Sequence, residues 1–291
     1  MNDTTTNDRR WTIGDALVTA VVESETHGIP PQLFFPDATA DDIRACAWLD
    51  GYARSDGTIG LAVQAFLVEM PSFVVLVDPC VGNHKTRSLP FWHQQEWPFM
   101  ERLAATGVSP DDIDLVVHTH LHADHVGCGT RLVDGRWEPT FANARYVYVD
   151  EELEYWRATE QRTAEDVYLD SVAPVVERGL ADVVRSDTDL GHGLQLVPTA
   201  GHTPGHASLE ITSRGDTLLI TGDLLHHPAQ FSRPEWAEIG DYDATAARTT
   251  RRAFIDEHAT RGTLLAGTHF ALHPVGRARV VGNGWRFDPQ P

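Results

Sequence analysis

Residues 115–125 read Leu115-Val116-Val117-His118-Thr119-His120-Leu121-His122-Ala123-Asp124-His125. A short apolar run, the mark of a buried strand, passes directly into a segment dense in histidine. His120, His122, Asp124 and His125 fall within six residues. On a loop leaving a strand, such spacing can send alternate side chains to two neighbouring positions. Imidazole and carboxylate are the donors that zinc and other first-row divalent ions take.

Working outward, the same arrangement recurs: an apolar run ends, and a donor follows. Gly201-His202-Thr203-Pro204-Gly205-His206 lies between the strand-like runs 194–198 and 207–212. One of its histidines can complete a three-histidine set with His120 and His122. The buried run 217–222 ends at Asp223, and a buried carboxylate needs a charged or hydrogen-bonded partner. A carboxylate lying between two metal ions would bridge them. A last core strand, 263–267, leads to Thr268-His269, and the run Phe73–Val77 leads to Asp78.

The rest of the chain reads as layered α/β. Residues 11–24 alternate as a strand pair around Gly14-Asp15, and 58–78 hold two strands broken at Met70-Pro71-Ser72. Residues 28–42 and 83–92 read as loops, and 93–106 as partly helical from Pro98. Residues 145–150 form a strand, 151–183 read as helical and 244–260 as a helix. One domain over 11–291 is expected, with a helical insertion around 151–190 and a frayed polar tail over 1–10 that does not resemble a signal peptide.

Composition narrows the function. The chain has 291 residues, 42% hydrophobic and 22% charged, with a formal net charge of −19. That charge argues against a nucleic-acid partner, whose phosphate backbone seeks cationic grooves. It leaves small anionic substrates open, because metal ions reverse the local potential. No apolar run reaches membrane-spanning length, so no membrane partner is expected. Cys46, Cys80 and Cys128 form neither a zinc knuckle nor a disulfide framework, and free thiols suit a reducing compartment, the cytoplasm.

These motifs resemble the metallo-β-lactamase superfamily from about residue 60 to residue 270: HTHLHADH at 118–125, GHTPGH at 201–206, TGD at 221–223 and GTH at 267–269. The resemblance implies a four-layer αββα sandwich with two metals at one edge of its sheets. By position, His120, His122 and His202 would hold the first metal, and Asp124, His125 and His269 the second. Asp223 would bridge them. Asp78 would support the metal shell, and His118 and His206 would be structural. The implied chemistry is hydrolysis by a hydroxide shared between two divalent ions, with Asp124 orienting it or moving a proton. Zinc is the first expectation for the ions, with manganese, iron and cobalt also accepted by such ligands.

Within the superfamily, the bridging aspartate looks unlike true zinc β-lactamases, where a cysteine commonly stands. His122 departs from redox diiron members, which usually place a glutamate there. His226 stands where quorum-signal lactonases often carry a tyrosine, and a histidine there resembles methyl parathion hydrolase-like members. It can still donate a hydrogen bond to a substrate carbonyl or carry a proton. Aromatic residues at 81–100 (Phe91, Trp92, Trp97, Phe99) and 227–240 (Phe231, Trp236) could line an apolar pocket, but a dimer interface or local core is the favoured reading. The leading expectation is an enzyme that opens a lactone or cleaves an ester with a hydrophobic substituent. A phosphotriester hydrolase or thioesterase is the alternative, and a binding protein with an inactive metal site is the non-enzyme alternative.

Overall fold

The structure, a computed structural model, describes residues 9–158 and 167–290. Of the tail expected over residues 1–10, residues 1–8 lie outside these, and Arg10 opens the first strand. The chain packs as two compact units. The first takes the chain to Ser24 and Val63–Arg185, the second Glu25–Ala62 and Ser186 onward. Each has its own apolar cluster, around Leu67, Leu76, Val116 and Tyr148 in the first and Phe35, Leu219, Leu265 and Phe287 in the second. Burying one such side chain contributes about 1.5–3 kcal/mol, so each cluster is a driving force in its own right.

Numbered along the chain, the strands of the first unit are β1 (Arg10–Ile13), β2 (Ala16–Ile29), β3 (Ile59–Met70), β4 (Phe73–Val77), β5 (Leu115–Val117), β6 (Thr130–Val133), β7 (Arg136–Pro139), β8 (Arg145–Val149) and β9 (Ala181–Val184). β6 and β7 form a hairpin, and the other seven make one sheet in chain order. The ends of β2 and β3 beyond Ser24 and before Val63 count with the second unit. That unit's own sheet also runs in chain order: β10 (Asp189–Gly191), β11 (Leu194–Pro198), β12 (Ala207–Ser213), β13 (Asp216–Ile220), β14 (Leu264–Ala266), β15 (Val275–Val281) and β16 (Gly284–Pro289). Helix α1 (Ala40–Arg44) belongs to the second unit. Helices α2 (Phe99–Ala105), α3 (Ala123–Val126), α4 (Asp150–Ala158) and α5 (Ala173–Glu177) belong to the first. The second again contributes α6 (Ala229–Ser232) and α7 (Ala244–Arg261).

What positions the donors is parallel pairing. In the first unit β4, β5, β8 and β9 are parallel neighbours, and parallel neighbours need a crossover connection, which α2 supplies between β4 and β5. Val77 pairs with Val117, so Asp78 and His118 leave the sheet side by side at the carboxyl ends of their strands. In the second unit β13 and β14 are parallel, with α7 as the crossover, and Ile220 pairs with Ala266. Asp223 and His269 therefore also emerge together. The carboxyl ends of parallel strands are where α/β proteins place ligands.

The local signals explain most elements. Asp243 caps α7 by accepting from the N–H groups of Thr245 and Ala246, and Gly262 ends it in the left-handed region at φ 65°. Pro98 stands immediately before α2, as its rigid ring predicts. Three segments differ from the sequence reading. Residues 151–183 are not continuously helical: α4 and α5 are short, Tyr168–Val172 is a single π-helical turn, and Gly179 at φ 75° turns the chain into β9, whose Asp182 and Val183 pair with β8. The stretch around 159–166 lies outside the described residues. The hairpin β6–β7 adds two strands that the sequence reading does not mark, and β15–β16 extend the sheet past the strand at 263–267. In both cases exposed apolar residues blur the alternation, Leu132 in β6 and Val280 and Val281 in β15.

Gly127 is required by a close approach. A Cβ there would lie 1.7 Å from the carbonyl oxygen of Val81, a backbone atom. Gly127→Ala is expected to cost at least about 3 kcal/mol in urea unfolding. Gly135→Ala, whose Cβ would meet nothing within 4 Å, carries only the strain of its φ of +78°, about 1–2 kcal/mol. Equal losses in the two variants would contradict the steric argument.

Candidate metal centre

In the first unit the donors are built on Asp78. It sits at φ 52°, a backbone conformation that costs a residue with a Cβ about 1–2 kcal/mol. Its surroundings hold it there. Its N–H donates to Val117 O at 3.0 Å, and its fully buried carboxylate accepts from Thr119 N and Thr119 Oγ1, each at 2.8 Å. The same carboxylate lies 2.9 Å from His125 Nδ1. Asp78 thus fixes both the start of the histidine segment and one of its rings.

From Thr119 the chain carries His120, His122, Asp124 and His125 through a bend into α3. His120 Nε2 lies 3.0 Å from His122 Nδ1, and Thr119 Oγ1 lies 3.1 Å from His120 Nδ1. Asp124 Oδ2 lies 3.8 Å from His125 Nε2. Glu152, buried on α4, accepts from Leu121 N at 3.1 Å and from Trp156 Nε1 at 2.8 Å, and Trp156 stands edge-on to the His122 ring. His118 is not among the donors. It stacks on Tyr148 at 4.8 Å, its Nδ1 faces Val147 O, and burial lowers its pKa to about 4. It is a neutral core histidine.

In the second unit the centre is Asp223. Its Oδ2 lies 3.3 Å from His202 Nε2 and 3.2 Å from His226 Nε2, and its Oδ1 lies 3.0 Å from His269 Nε2. His206 Nε2 accepts the Asp223 N–H at 3.0 Å, while its Nδ1 meets Thr199 Oγ1 at 2.8 Å, so His206 orients the carboxylate from behind. Gly201, at φ 139°, lets this loop pass against the start of α7, where a Cβ would come within 2.4 Å of Ala247 N. His226 stacks on His269 at 5.6 Å and meets the edge of Phe34 at 5.5 Å. Burial lowers the His226 pKa to about 4, and its Nδ1 has no hydrogen-bond partner among the described residues.

These side chains fit divalent ions. A ligating imidazole normally has its far nitrogen held by a second group, which fixes the ring and leaves the other nitrogen for the metal. That pattern is present for His125 on Asp78, His269 Nδ1 on Ala62 O at 2.8 Å, and His202 Nδ1 on Asp241 Oδ1 at 2.9 Å. Electrostatics agree. Burial works against a charged His202, but Asp223 and Asp241 outweigh it and raise its pKa to about 9. Burial raises the Glu238 carboxyl to about 7. So much buried carboxylate calls for positive charge, which a proton supplies here and a divalent cation would supply more strongly.

Sequence reading named the donors and Asp78 but missed their supports. Asp241, Glu238, Glu152 and Phe34 lie in acidic or loop-like stretches with no pattern to mark them. The aromatic loops follow the favoured local-core reading in large part. Phe99, Phe231 and Trp236 are core residues, Trp92 and Trp97 pack against the core, and Phe91 is exposed.

Imidazoles and carboxylates gathered at the carboxyl ends of parallel strand pairs define a metal-binding α/β protein. The chain belongs to the metallo-beta-lactamase superfamily, whose family model matches residues 58–262, and the fold expected from the motifs is the one found. It is similar to the N-acyl homoserine lactonase AiiB of Agrobacterium fabrum, 33% identical over 128 residues that make up 36% of this chain and 46% of that protein. The match thus spans less than half of that relative's length. Among solved structures it resembles hydrolase AbOPH of the beta lactamase superfamily (TM-score 0.82, 25% identity, 97% of each chain). It also resembles AidC, a dizinc quorum-quenching lactonase in complex with a product (TM-score 0.81, 19% identity, 97% of each chain). No helix among the described residues is long and apolar enough to cross a membrane.

Asp78→Ala would strand the buried Thr119 N–H, Thr119 hydroxyl and His125 imidazole. We expect it to cost about 3–5 kcal/mol in urea unfolding. A loss below about 1 kcal/mol would mean that Asp78 does not organise the segment.

Proposed function

We propose that this chain is a metal-dependent hydrolase that opens lactones or cleaves carboxylic esters bearing a hydrophobic substituent. The observation that carries this reading is Asp223, a buried carboxylate facing the Nε2 atoms of three histidines. In this reading His120, His122, Asp124, His125, His202, Asp223 and His269 would together hold two divalent ions. Zinc is the leading candidate, since imidazole and carboxylate suit it. When bound, the two ions lower the pKa of a water to near neutrality and polarise the attacked carbonyl.

The chain's own residues do the rest. His206 keeps Asp223 in one orientation through its backbone N–H. Asp124 orients the attacking water and takes up its proton. His226, beside Asp223, would donate a hydrogen bond to the substrate oxygen, in the place where a tyrosine hydroxyl often stands in related lactonases. The apolar preference is supported by Phe34 against His226 and by Leu33 and Ile239, 63% and 69% exposed, on two segments joined by the bond from Ile239 N to Phe34 O. The name of the Agrobacterium fabrum relative supports an acyl lactone as the substrate class. His226 also favours a second reading, phosphotriester hydrolysis, because the same activated water can attack phosphorus.

The test combines metal analysis of protein purified without chelator with a panel of acyl-homoserine lactones, simple lactones, aryl esters, a thioester and a phosphotriester. Near two ions per chain and lactone turnover are expected, and Asp223→Ala should reduce turnover by more than about 100-fold. Turnover of the phosphotriester alone would select the second reading. Absence of bound metal and of any turnover after zinc or manganese is restored would refute both. His226→Phe keeps the ring packing and removes the donor. Its kcat is expected to fall about 10–100-fold with metal content unchanged. Unaltered kcat would place His226 outside the reaction.

A further inference from the structure

The second unit contains a buried ion pair that the proposed reaction does not use directly. Arg251, in the middle of α7, has no solvent exposure, and neither has the side chain of Asp241. Arg251 Nε donates to Leu224 O at 2.8 Å, in the segment just after Asp223. Its Nη1 donates to Trp236 O at 2.8 Å and Pro234 O at 3.3 Å, and its Nη2 lies 3.6 Å from Asp241 Oδ2. Asp241 Oδ2 also accepts the Glu238 N–H at 3.0 Å, and Glu238 Oε2 accepts the Gly240 N–H, which closes the turn that presents Asp241. The other oxygen of Asp241 meets His202 Nδ1 at 2.9 Å, with Glu238 Oε2 at 3.9 Å from the same nitrogen.

We propose that Asp241, anchored by Arg251, is a positioning residue that holds His202 in its metal-ligating tautomer and sets the affinity of one metal position. The inference rests on the metallohydrolase reading above. With Nδ1–H donated to Asp241, Nε2, which faces Asp223 at 3.3 Å, is the nitrogen left to exchange its proton for a divalent ion. A carboxylate partner also makes the ring a stronger donor than a neutral partner would. The other histidines of this unit differ. His269 is backed by a carbonyl and His206 by a hydroxyl. In the first unit the equivalent carboxylate is Asp78 behind His125. Each unit thus supplies a carboxylate-backed histidine. Arg251 makes the second backing rigid, because one guanidinium ties the residue after Asp223, the 234–236 turn and Asp241 to the same helix. It also makes Asp241 hard to replace, since a fully buried guanidinium without its carboxylate is an uncompensated charge.

The experiment is a zinc titration of metal-free wild type and Asp241→Asn against a chromophoric chelator, with circular dichroism to confirm folding. Asparagine keeps the shape and an acceptor oxygen but removes the charge. Two binding steps are expected in the wild type. In the variant one step should weaken about 10–100-fold and the other remain within a few-fold. Asp241→Glu, which restores the charge, should recover part of the loss. Two steps unchanged in folded Asp241→Asn overturn this inference alone, whereas a wild type that binds no zinc overturns the metallohydrolase reading and this inference with it. Should the variants not fold, the zinc-loaded wild type gives the answer. A slowly exchanging, strongly downfield Nδ1–H resonance of His202 in a nitrogen-15 histidine spectrum supports the proposal, and the opposite tautomer overturns it.

Discussion

A carboxylate removed from water must find positive charge, and Asp223 is the residue on which that requirement falls most heavily. It is nearly inaccessible, and the Nε2 atoms of His202, His226 and His269 meet its two oxygens. Leaving such a group uncompensated would cost several kcal/mol. The neighbourhood is arranged to keep it charged and fixed. β13 delivers it at a strand end beside His269, His206 holds its backbone, and Asp241 adds negative charge instead of relieving it. An isolated structural carboxylate would be neutralised by one arginine or lysine. This one faces His202 and His269, whose far nitrogens are already committed, an arrangement suited to cations that arrive from solution.

The first unit reaches a related result by the same geometry. Parallel strands put their carboxyl ends at one edge, so residues distant in sequence become neighbours without long loops. β4 with β5 joins Asp78 to the histidine segment, and β13 with β14 joins Asp223 to His269. In each unit a carboxylate braces an imidazole from behind, Asp78 for His125 and Asp241 for His202. The strained backbone at Asp78 and the glycine contact at Gly127 are local costs offset by this fixed geometry.

Much of this was legible because the donors follow apolar runs, and a strand end is one of the few positions where one-dimensional pattern reports three-dimensional direction. His120, His202, Asp223 and His269 could be picked out for that reason. Asp241 could not. It lies in a polar loop between Gly240 and Tyr242, and only folding brings Arg251 to it. Arg251 reads as an ordinary polar position in a helix rich in threonine and arginine, yet it is wholly buried. Phe34 is hidden in a loop rich in proline, and only folding brings it to His226. The hairpins β6–β7 and β15–β16 are obscured because exposed apolar residues, Leu132, Val280 and Val281, interrupt their alternation. Contacts set by long-range packing leave no local periodicity to read.

The central claim is that the two donor sets exist to hold a pair of divalent ions bridged by Asp223. The most direct measurement is a crystal structure of the zinc-loaded protein with anomalous diffraction collected on both sides of the zinc edge. The account predicts two anomalous peaks about 3.5–4 Å apart, with an Asp223 oxygen ligating each. A single peak remote from Asp223, or none at full zinc occupancy in solution, would contradict it.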